Sequence, residues 1–142
     1  MTSGILDTCV LVDLDRFDRE ELPVDQAITS ISLGELSVGP LLSPDPEERA
    51  RRQLHLQVIE SRFAVSNFDF DVAAARKCGA VMAGALTRGR TSRPRIADYQ
   101  IAAIAITNRL ALYTVNVDGF GGIAGLELRA VTTLSTPPAG TT

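Results

Sequence analysis

Gly4-Ile5-Leu6-Asp7-Thr8 is the stretch that decides the fold predicted for this sequence. The apolar pair Ile5-Leu6 is typical of a parallel strand, because such strands are buried on both faces. Asp7 ends this strand and would lie at the carboxyl edge of the sheet, where open α/β folds bind ligands. Two interpretations of Asp7 stay open. It begins a cluster of acids that holds a divalent metal, or it only caps the following helix, a position that Asp favours.

The length and charge of the chain limit its class. The 142 residues, 45% of them hydrophobic, predict a single domain over residues 1–134. Residues 135–142 are rich in Pro, Gly and Thr and predict a flexible tail. The formal net charge of -3 excludes a protein that binds nucleic acid through its bulk charge. Any contact with nucleic acid must therefore come from a local basic patch or from a metal.

The histidine and cysteine content excludes several kinds of site. A single histidine, His55, excludes a multi-histidine zinc site and argues against a Ser-His-Asp triad; we interpret it as a surface residue. We interpret Cys9 and Cys78 as small buried hydrophobic residues. No stretch is long and apolar enough to span a membrane. Because Asp7 and Asp13 interrupt the N-terminal apolar run, no signal peptide is predicted and a cytoplasmic location is expected.

Other apolar segments also end in polar side chains that would reach the same edge of the sheet. Strands are predicted at 26–31 and 110–114, and a very apolar helix at 96–106. The polar residues that share this position are Glu35, Asp98, Asn116 and Asp118. Carboxylates packed together with Asp7 would repel one another and raise one another's pKa values unless a cation lies between them. Mg²⁺ and Mn²⁺ prefer oxygen ligands, so the pattern predicts a divalent metal site.

A metal site of this kind is suited to the hydrolysis of phosphate esters. In two-metal hydrolysis, the ions clamp the attacking and leaving oxygens and lower the pKa of bound water, so no histidine base is needed. A phosphohydrolase of small molecules is a further interpretation. Against it, the sequence contains neither Gly-x-Gly-x-x-Gly nor Gly-x-x-x-x-Gly-Lys-Ser/Thr.

Glu35 has two interpretations, and both stay open. Ser32-Leu33-Gly34-Glu35 has the spacing of a capping box, in which the Glu side chain folds back onto the start of its own helix. Alternatively, Glu35 faces Asp7, because the first turn of a helix after a core strand also lies at the carboxyl edge. The two roles compete for one carboxylate.

Helices from Ser32 and from about Asp45 are predicted to form a pair that projects from the sheet. We interpret Pro40 and residues 43–46 as the loop between them. A narrow apolar stripe on the second helix is formed by Ala50, Leu54 and Val58. An apolar run that predicts contact with a partner is formed by Leu36, Val38, Leu41 and Leu42.

Positive charge is concentrated in one segment, residues 88–95. Its four arginines are Arg88, Arg90, Arg93 and Arg95. Gly89 and Pro94 indicate a loop. A cluster of arginines in an acidic protein indicates local anion binding, although a solvated loop is an alternative interpretation.

Taken together, these motifs resemble those of the PIN-domain nucleases, and in particular the VapC-type toxins of bacterial toxin–antitoxin pairs. The resemblance extends from Gly4 to about Val131. The motifs that carry it, in chain order, are Leu6-Asp7-Thr8, Ser32-x-x-Glu35-Leu36, Asp98 with Ile101-Ala102-Ala103, and Tyr113-Thr114-x-Asn116 through Phe120. Each motif alone is weak, whereas their order and spacing together are fairly specific.

The resemblance implies a three-layer α/β/α fold with a mainly parallel sheet. It also implies an endoribonuclease dependent on Mg²⁺ or Mn²⁺, a cognate VapB-type antitoxin that blocks the site, and a homodimer. Asp7, Glu35 and Asp98 fall on the three strongest acidic positions of the family. Thr8 and Thr114 fall on hydroxyl positions that commonly support the site.

The fourth acidic position departs from the family pattern. Gly119 stands directly before Phe120, where an Asp is more usual. Asp118 is the nearby candidate for the fourth metal ligand, and Asn116 is a possible neutral ligand. This departure keeps open an alternative function, a catalytically weak PIN-like module that binds RNA or protein.

Overall fold

The computed structural model describes residues 2–89 and 95–133. Arg90, Arg93 and the predicted tail lie outside the described residues. The strands are β1 Ser3–Leu6, β2 Asp25–Thr29, β3 Asn67–Phe68, β4 Ala111–Thr114 and β5 Leu128–Ala130. The α-helices are α1 Thr8–Val12, α2 Ser30–Leu42, α3 Pro46–Arg62, α4 Val72–Thr87, α5 Ile96–Thr107 and α6 Val117–Phe120. Two 3₁₀ helices, Leu14–Arg16 and Arg19–Glu21, join α1 to β2.

The five strands form one parallel sheet in the order β3-β2-β1-β4-β5. The first strand in the chain is therefore the central one. Ile5 lies beside Ala27 of β2 and Leu112 of β4. This arrangement confirms the prediction of an α/β fold with a parallel sheet organised around residues 4–8.

Successive residues of the central strand enter opposite cores, because side chains alternate across a strand. Ile5 packs in a core with Leu112 and the apolar face of α5, which includes Ile101. Leu6 packs in a second core with Tyr113 and with residues of α1 and α3. Helices thus cover both faces of the sheet, which confirms the three-layer prediction. Within the described residues, no helix combines the length and the hydropathy needed to cross a bilayer.

Gly4 in β1 allows the ring of Tyr113 to lie against the backbone of the central strand. A Cβ atom at Gly4 would come 2.7 Å from Tyr113 Cδ1 and 3.1 Å from the carbonyl oxygen of Ala111. Both distances are shorter than a normal van der Waals contact. A side chain at this position would therefore force the ring of Tyr113 to shift.

We expect Gly4→Ala to lower the free energy of unfolding by about 1–3 kcal/mol, because the ring of Tyr113 and its neighbours must shift. Urea denaturation of the two proteins measures the difference. Gly79→Ala in α4 is the matched control, because a Cβ there meets nothing within 4 Å. It should leave the stability unchanged or raise it by up to about 1 kcal/mol. Equal stability of Gly4→Ala and the wild type would contradict this account.

The loop predicted at Pro40 is wrong, because α2 continues through this residue to its end. Near a helix end, the last carbonyl groups have no partner within the helix and need other donors. Side chains of α3 supply them. Arg52 donates to the carbonyl of Gly39 at 3.2 Å, and Arg49 donates to the carbonyl of Ser43 at 2.9 Å. These contacts join two different helices, so the sequence around Pro40 did not indicate that α2 would continue through it.

Candidate active site

Polar side chains meet where the three central strands end. Asp7 follows β1, Thr29 is the last residue of β2, and Thr114 is the last residue of β4. All three are buried. Because the strands are parallel, their carboxyl ends lie at one edge of the sheet, which is where this type of fold binds ligands.

Asp7 is held by donors on both of its oxygens. Oδ1 accepts from the backbone N–H of Thr8 at 2.8 Å and caps α1. Oδ2 accepts from the hydroxyl of Thr114 at 2.7 Å and from the thiol of Cys9 at 3.2 Å. Asp7 therefore caps a helix and also lies at the carboxyl edge, so the two interpretations of this residue are compatible.

Cys9 is not the inert buried residue that the sequence predicted. It is half-buried, and its thiol contacts Asp7 Oδ2 and, at 3.5 Å, the hydroxyl oxygen of Thr114. Burial raises the pKa of the Cys9 thiol, and the nearby charge of Asp7 raises it further. The thiol therefore stays protonated and serves as a donor to the carboxylate.

Glu35 does not form the predicted capping box. Strand β2 ends at Thr29, whose hydroxyl accepts from the backbone N–H of Ser32 at 3.1 Å and caps α2. Ser32 therefore lies inside the helix, and Glu35 is available for other contacts. Its Oε1 accepts from the hydroxyl of Thr8 at 2.7 Å. The Thr8 hydroxyl also lies 2.8 Å from the Ser32 hydroxyl, so β2, α1 and α2 are linked at this point.

Arg95 connects two of the predicted metal ligands. It precedes α5, and its Nη1 lies 3.3 Å from Oε2 of Glu35. Its Nη2 lies 3.7 Å from Oδ1 of Asp98. One guanidinium group thus bridges acids of α2 and α5.

Asp98 lies in the first turn of α5 and is buried. Burial raises the pKa of the Asp98 carboxyl group, and the adjacent Arg95 opposes this shift. The charges of Asp7 and Glu35 raise the pKa of Asp98 further. The three acids are therefore close enough for their charges to interact.

The acids do not form a closed metal cage in this arrangement. Within residues 2–89 and 95–133, no three histidine, cysteine or acidic side chains are placed to hold a metal ion. Arg95 provides a physical reason, because its guanidinium group lies against both Glu35 and Asp98. The sequence prediction that Asp7, Glu35, Asp98 and Asp118 bind metal stays a prediction.

Asn116 and Asp118 lie in the segment that follows β4. The backbone N–H of Asn116 donates to the hydroxyl of Thr114 at 3.0 Å, and its side chain caps α6 through the N–H of Gly119 at 3.3 Å. A Cβ at Gly119 would come within 3.0 Å of Asn116 Cγ. The side chain of Asn116 therefore fills the space that a side chain at 119 would need. Asp118 is exposed in the first turn of α6, and its role stays a prediction.

Comparison with known proteins decides the family. No family model matches the chain. Over 131 residues, it is 31% identical to ribonuclease VapC5 of Mycobacterium tuberculosis, which covers 89% of this chain and 93% of that protein. The chain belongs to the VapC family. This result confirms the resemblance to PIN-domain toxins that the motifs indicated.

Solved structures support the VapC assignment. The crystal structure of VapBC-5 of Mycobacterium tuberculosis matches with a TM-score of 0.78 at 30% identity, over 92% of this chain and 100% of that chain. DNA-bound VapBC of Salmonella typhimurium matches with a TM-score of 0.72 at 27% identity, over 92% and 98%. VapBC2 of Rickettsia felis, bound to a promoter DNA fragment, has a TM-score of 0.73 at 23% identity, over 92% and 100%. The last match shows the fold alone.

A cavity of about 660 Å³ adjoins the site of this VapC chain and is lined by Thr8, Glu35 and Arg95 together with residues of α1, α2 and α3. His55 also lines it, which corrects its interpretation as a surface residue. The ring is half-buried, and Nε2 lies 2.9 Å from the carbonyl oxygen of Leu11.

The apolar stripe predicted on α3 is likewise wrong. The buried residues of α3 are Leu56 and Ile59, whereas Leu54 is 62% exposed and Val58 is 51% exposed. The helix is therefore rotated relative to the predicted stripe. His55 lies four residues, about one helical turn, before the buried residue Ile59, so the two share one side of α3.

Two of the four arginines in residues 88–95 lie among the described residues. Arg88 is exposed at the end of α4. Arg95 contacts the acids, and Arg90 and Arg93 lie outside the described residues. The prediction that these arginines bind anions stays open.

The pKa of Asp98 predicts a pH dependence of stability in the metal-free protein. Because this pKa is raised above its ordinary value of 3.8, the folded state binds the proton more tightly than the unfolded state. The contribution of Asp98 to stability is fully present below this ordinary value and is lost as the pH rises through the raised pKa. Asp98→Asn lacks this titration, so we expect its stability relative to wild type to rise as the pH increases above the ordinary value of 3.8.

Urea unfolding at several pH values in the presence of EDTA tests this expectation. Asp25→Asn, at the amino end of β2, is a suitable control because Asp25 is exposed at the opposite edge of the sheet. The free energy of unfolding of Asp25→Asn should vary with pH as that of the wild type does, because this variant keeps Asp98. A constant difference between Asp98→Asn and wild type across the pH range would contradict the prediction.

Proposed function

We propose that this protein is a metal-dependent endoribonuclease toxin that hydrolyses RNA phosphodiester bonds and is inhibited by a cognate VapB-type antitoxin. The observation that carries the proposal is the meeting of Asp7, Glu35 and Asp98 at the carboxyl edge of the sheet in a VapC-family chain. The relative VapC5 is named a ribonuclease. The proposed place of action is the cytoplasm, where the RNA substrate would be met.

The residues present fit a hard divalent cation. The donor atoms of the three acids are all oxygens, the ligand type that Mg²⁺ and Mn²⁺ prefer. The position of Arg95 between Glu35 and Asp98 also indicates that these carboxylates need a positive charge beside them. Asp7, Glu35 and Asp98 would hold the metal, with Asp118 as the fourth ligand or Asn116 in its place. When bound, such a metal supplies a water of lowered pKa and stabilises charge on the phosphate oxygens.

The residues around the acids keep them oriented for this chemistry. The hydroxyl of Thr114 fixes one oxygen of Asp7, and the hydroxyl of Thr8 fixes one oxygen of Glu35. Fixed ligands favour in-line attack on the phosphodiester, because an orientation that is already set does not have to be acquired during the reaction. Arg88, Arg90, Arg93 and Arg95 would hold the flanking phosphates of the RNA.

The helical pair α2–α3 offers an apolar surface for a protein partner. Leu41 is 82% exposed and Leu42 is 73% exposed at the end of α2, and Val38 is also exposed. Side chains of this kind on the surface indicate a protein contact. The related crystal structures are described as VapBC complexes. We assign this surface to the antitoxin or to the second copy of a homodimer.

A second candidate function is a PIN-like module that binds RNA or protein with weak or no catalysis. One observation favours it. The fourth acidic position is occupied by Gly119, and Asp118 is exposed nearby. Such a module would bind RNA without consuming it.

The test uses the purified full-length protein and a labelled RNA. We expect cleavage with Mg²⁺ or Mn²⁺, none in EDTA, and inhibition by the antitoxin encoded beside it. Sequencing the 5′ ends of the products identifies the substrate bonds. A small phosphate ester serves as the competing substrate and should be hydrolysed far more slowly. RNA that is bound but stays intact with either metal would instead support the second function.

A further inference from the structure

Arg95 holds an unusual position for a residue that would bind only substrate. Its side chain is 71% exposed, yet its two terminal nitrogens reach the carboxylates of Glu35 and Asp98. Asp98 is almost fully buried. The guanidinium group therefore approaches the site from solvent and covers two acids that come from different helices.

The charges at the site explain why this contact forms. Arg95 contacts the carboxylates of Glu35 and Asp98, and Thr8 contacts both Glu35 and Asp7, so the three acids meet around one arginine. Arginine stays protonated at any physiological pH, so it is a permanent cation. Without a metal, Arg95 thus supplies positive charge to acids that would otherwise repel one another.

We propose that Arg95 is an internal counter-ion that competes with the divalent metal for Glu35 and Asp98. The proposal rests on the metal-dependent function proposed above. A guanidinium group and a divalent cation on the same carboxylates repel each other, so binding of the metal displaces the side chain. Because this side chain is largely exposed, its movement into solvent loses only weak, screened ion pairs.

Displacement leaves the guanidinium group beside the site at the start of α5. There it can form charge-assisted hydrogen bonds with a phosphate group of the RNA. One residue would then stabilise the metal-free site and contact the substrate once the metal is bound. Arg95 would couple metal binding to RNA binding.

Mn²⁺ binding without RNA tests the competition, measured by isothermal titration calorimetry on the full chain. We expect Arg95→Ala to bind Mn²⁺ about fivefold more tightly than wild type, because the ion pairs of the solvent-exposed Arg95 with Glu35 and Asp98 no longer compete. Arg95→Lys keeps the charge but cannot bridge both acids, so its affinity should lie between the two. Arg76→Ala removes the same charge from an exposed position on α4 and should leave the affinity unchanged.

Thermal unfolding in EDTA gives an independent result. Arg95→Ala should unfold at a lower temperature than wild type and Arg76→Ala, and saturating Mn²⁺ should remove the difference. If Arg95→Ala bound Mn²⁺ with equal or weaker affinity than wild type, the competition would be overturned. The proposed function would still stand in that case if wild type bound Mn²⁺ and Asp98→Asn did not. Absence of Mn²⁺ binding in both wild type and Arg95→Ala would overturn both.

Discussion

Asp98→Asn is expected to lower metal-dependent RNA cleavage by about a hundred- to a thousandfold, through loss of electrostatic stabilisation at the reacting phosphate. Asp98 is the predicted ligand on α5 and is buried, and Arg95 contacts both its carboxylate and that of Glu35. Asparagine has nearly the same shape but lacks the negative charge that would bind the metal. Cleavage of a labelled RNA under single-turnover conditions measures the loss.

The fold should survive this substitution. Because the raised pKa of Asp98 reports a carboxylate whose charge is unfavourable in the metal-free protein, the neutral amide should not destabilise it. Asp25→Asn serves again as the matched control and should cleave RNA at the wild-type rate. Asp98→Asn with activity within tenfold of wild type, in a folded protein, would contradict the assignment of Asp98 as a metal ligand needed for cleavage.

The position of the candidate site could be predicted from sequence because it depends on strand ends. Asp7 follows an apolar strand directly, and Thr114 ends another, so a parallel sheet places both at one edge. Asp98 could be recognised as the single charge in a very apolar helix. These signals are local in the chain, and the parallel topology brings them together.

Contacts between distant residues could not be predicted in the same way. The local spacing of Ser32 and Glu35 fits a capping box, in which Glu35 would accept from the backbone N–H of Ser32. Because β2 ends earlier than predicted, the hydroxyl of Thr29 accepts from this N–H instead. The contact of Arg95 with Glu35 and that of His55 with Leu11 depend on how helices pack. Neither contact follows from spacing along the chain, since each joins elements that meet only in the folded protein.

Thr114→Val is expected to lower metal affinity and RNA cleavage by about 10–100-fold, the effect of removing a partner that orients a metal ligand. The hydroxyl of Thr114 is fully buried and donates to Asp7 Oδ2 at 2.7 Å. It also accepts from the backbone N–H of Asn116 at 3.0 Å. Valine keeps the volume of threonine but provides neither bond, so Asp7 loses its strongest orienting donor.

The same substitution should lower the free energy of unfolding by about 1–3 kcal/mol, because a buried carboxylate oxygen and a backbone N–H lose a partner. Thr114→Ser is the matched control. It keeps the hydroxyl and loses one methyl group, so it should retain most of the cleavage activity even if packing weakens. Mn²⁺ titration, RNA cleavage and urea unfolding on the three proteins separate orientation from stability. If Thr114→Val matched Thr114→Ser in Mn²⁺ affinity and cleavage, the remaining donors of Asp7, the thiol of Cys9 and the N–H of Thr8, would suffice to orient it.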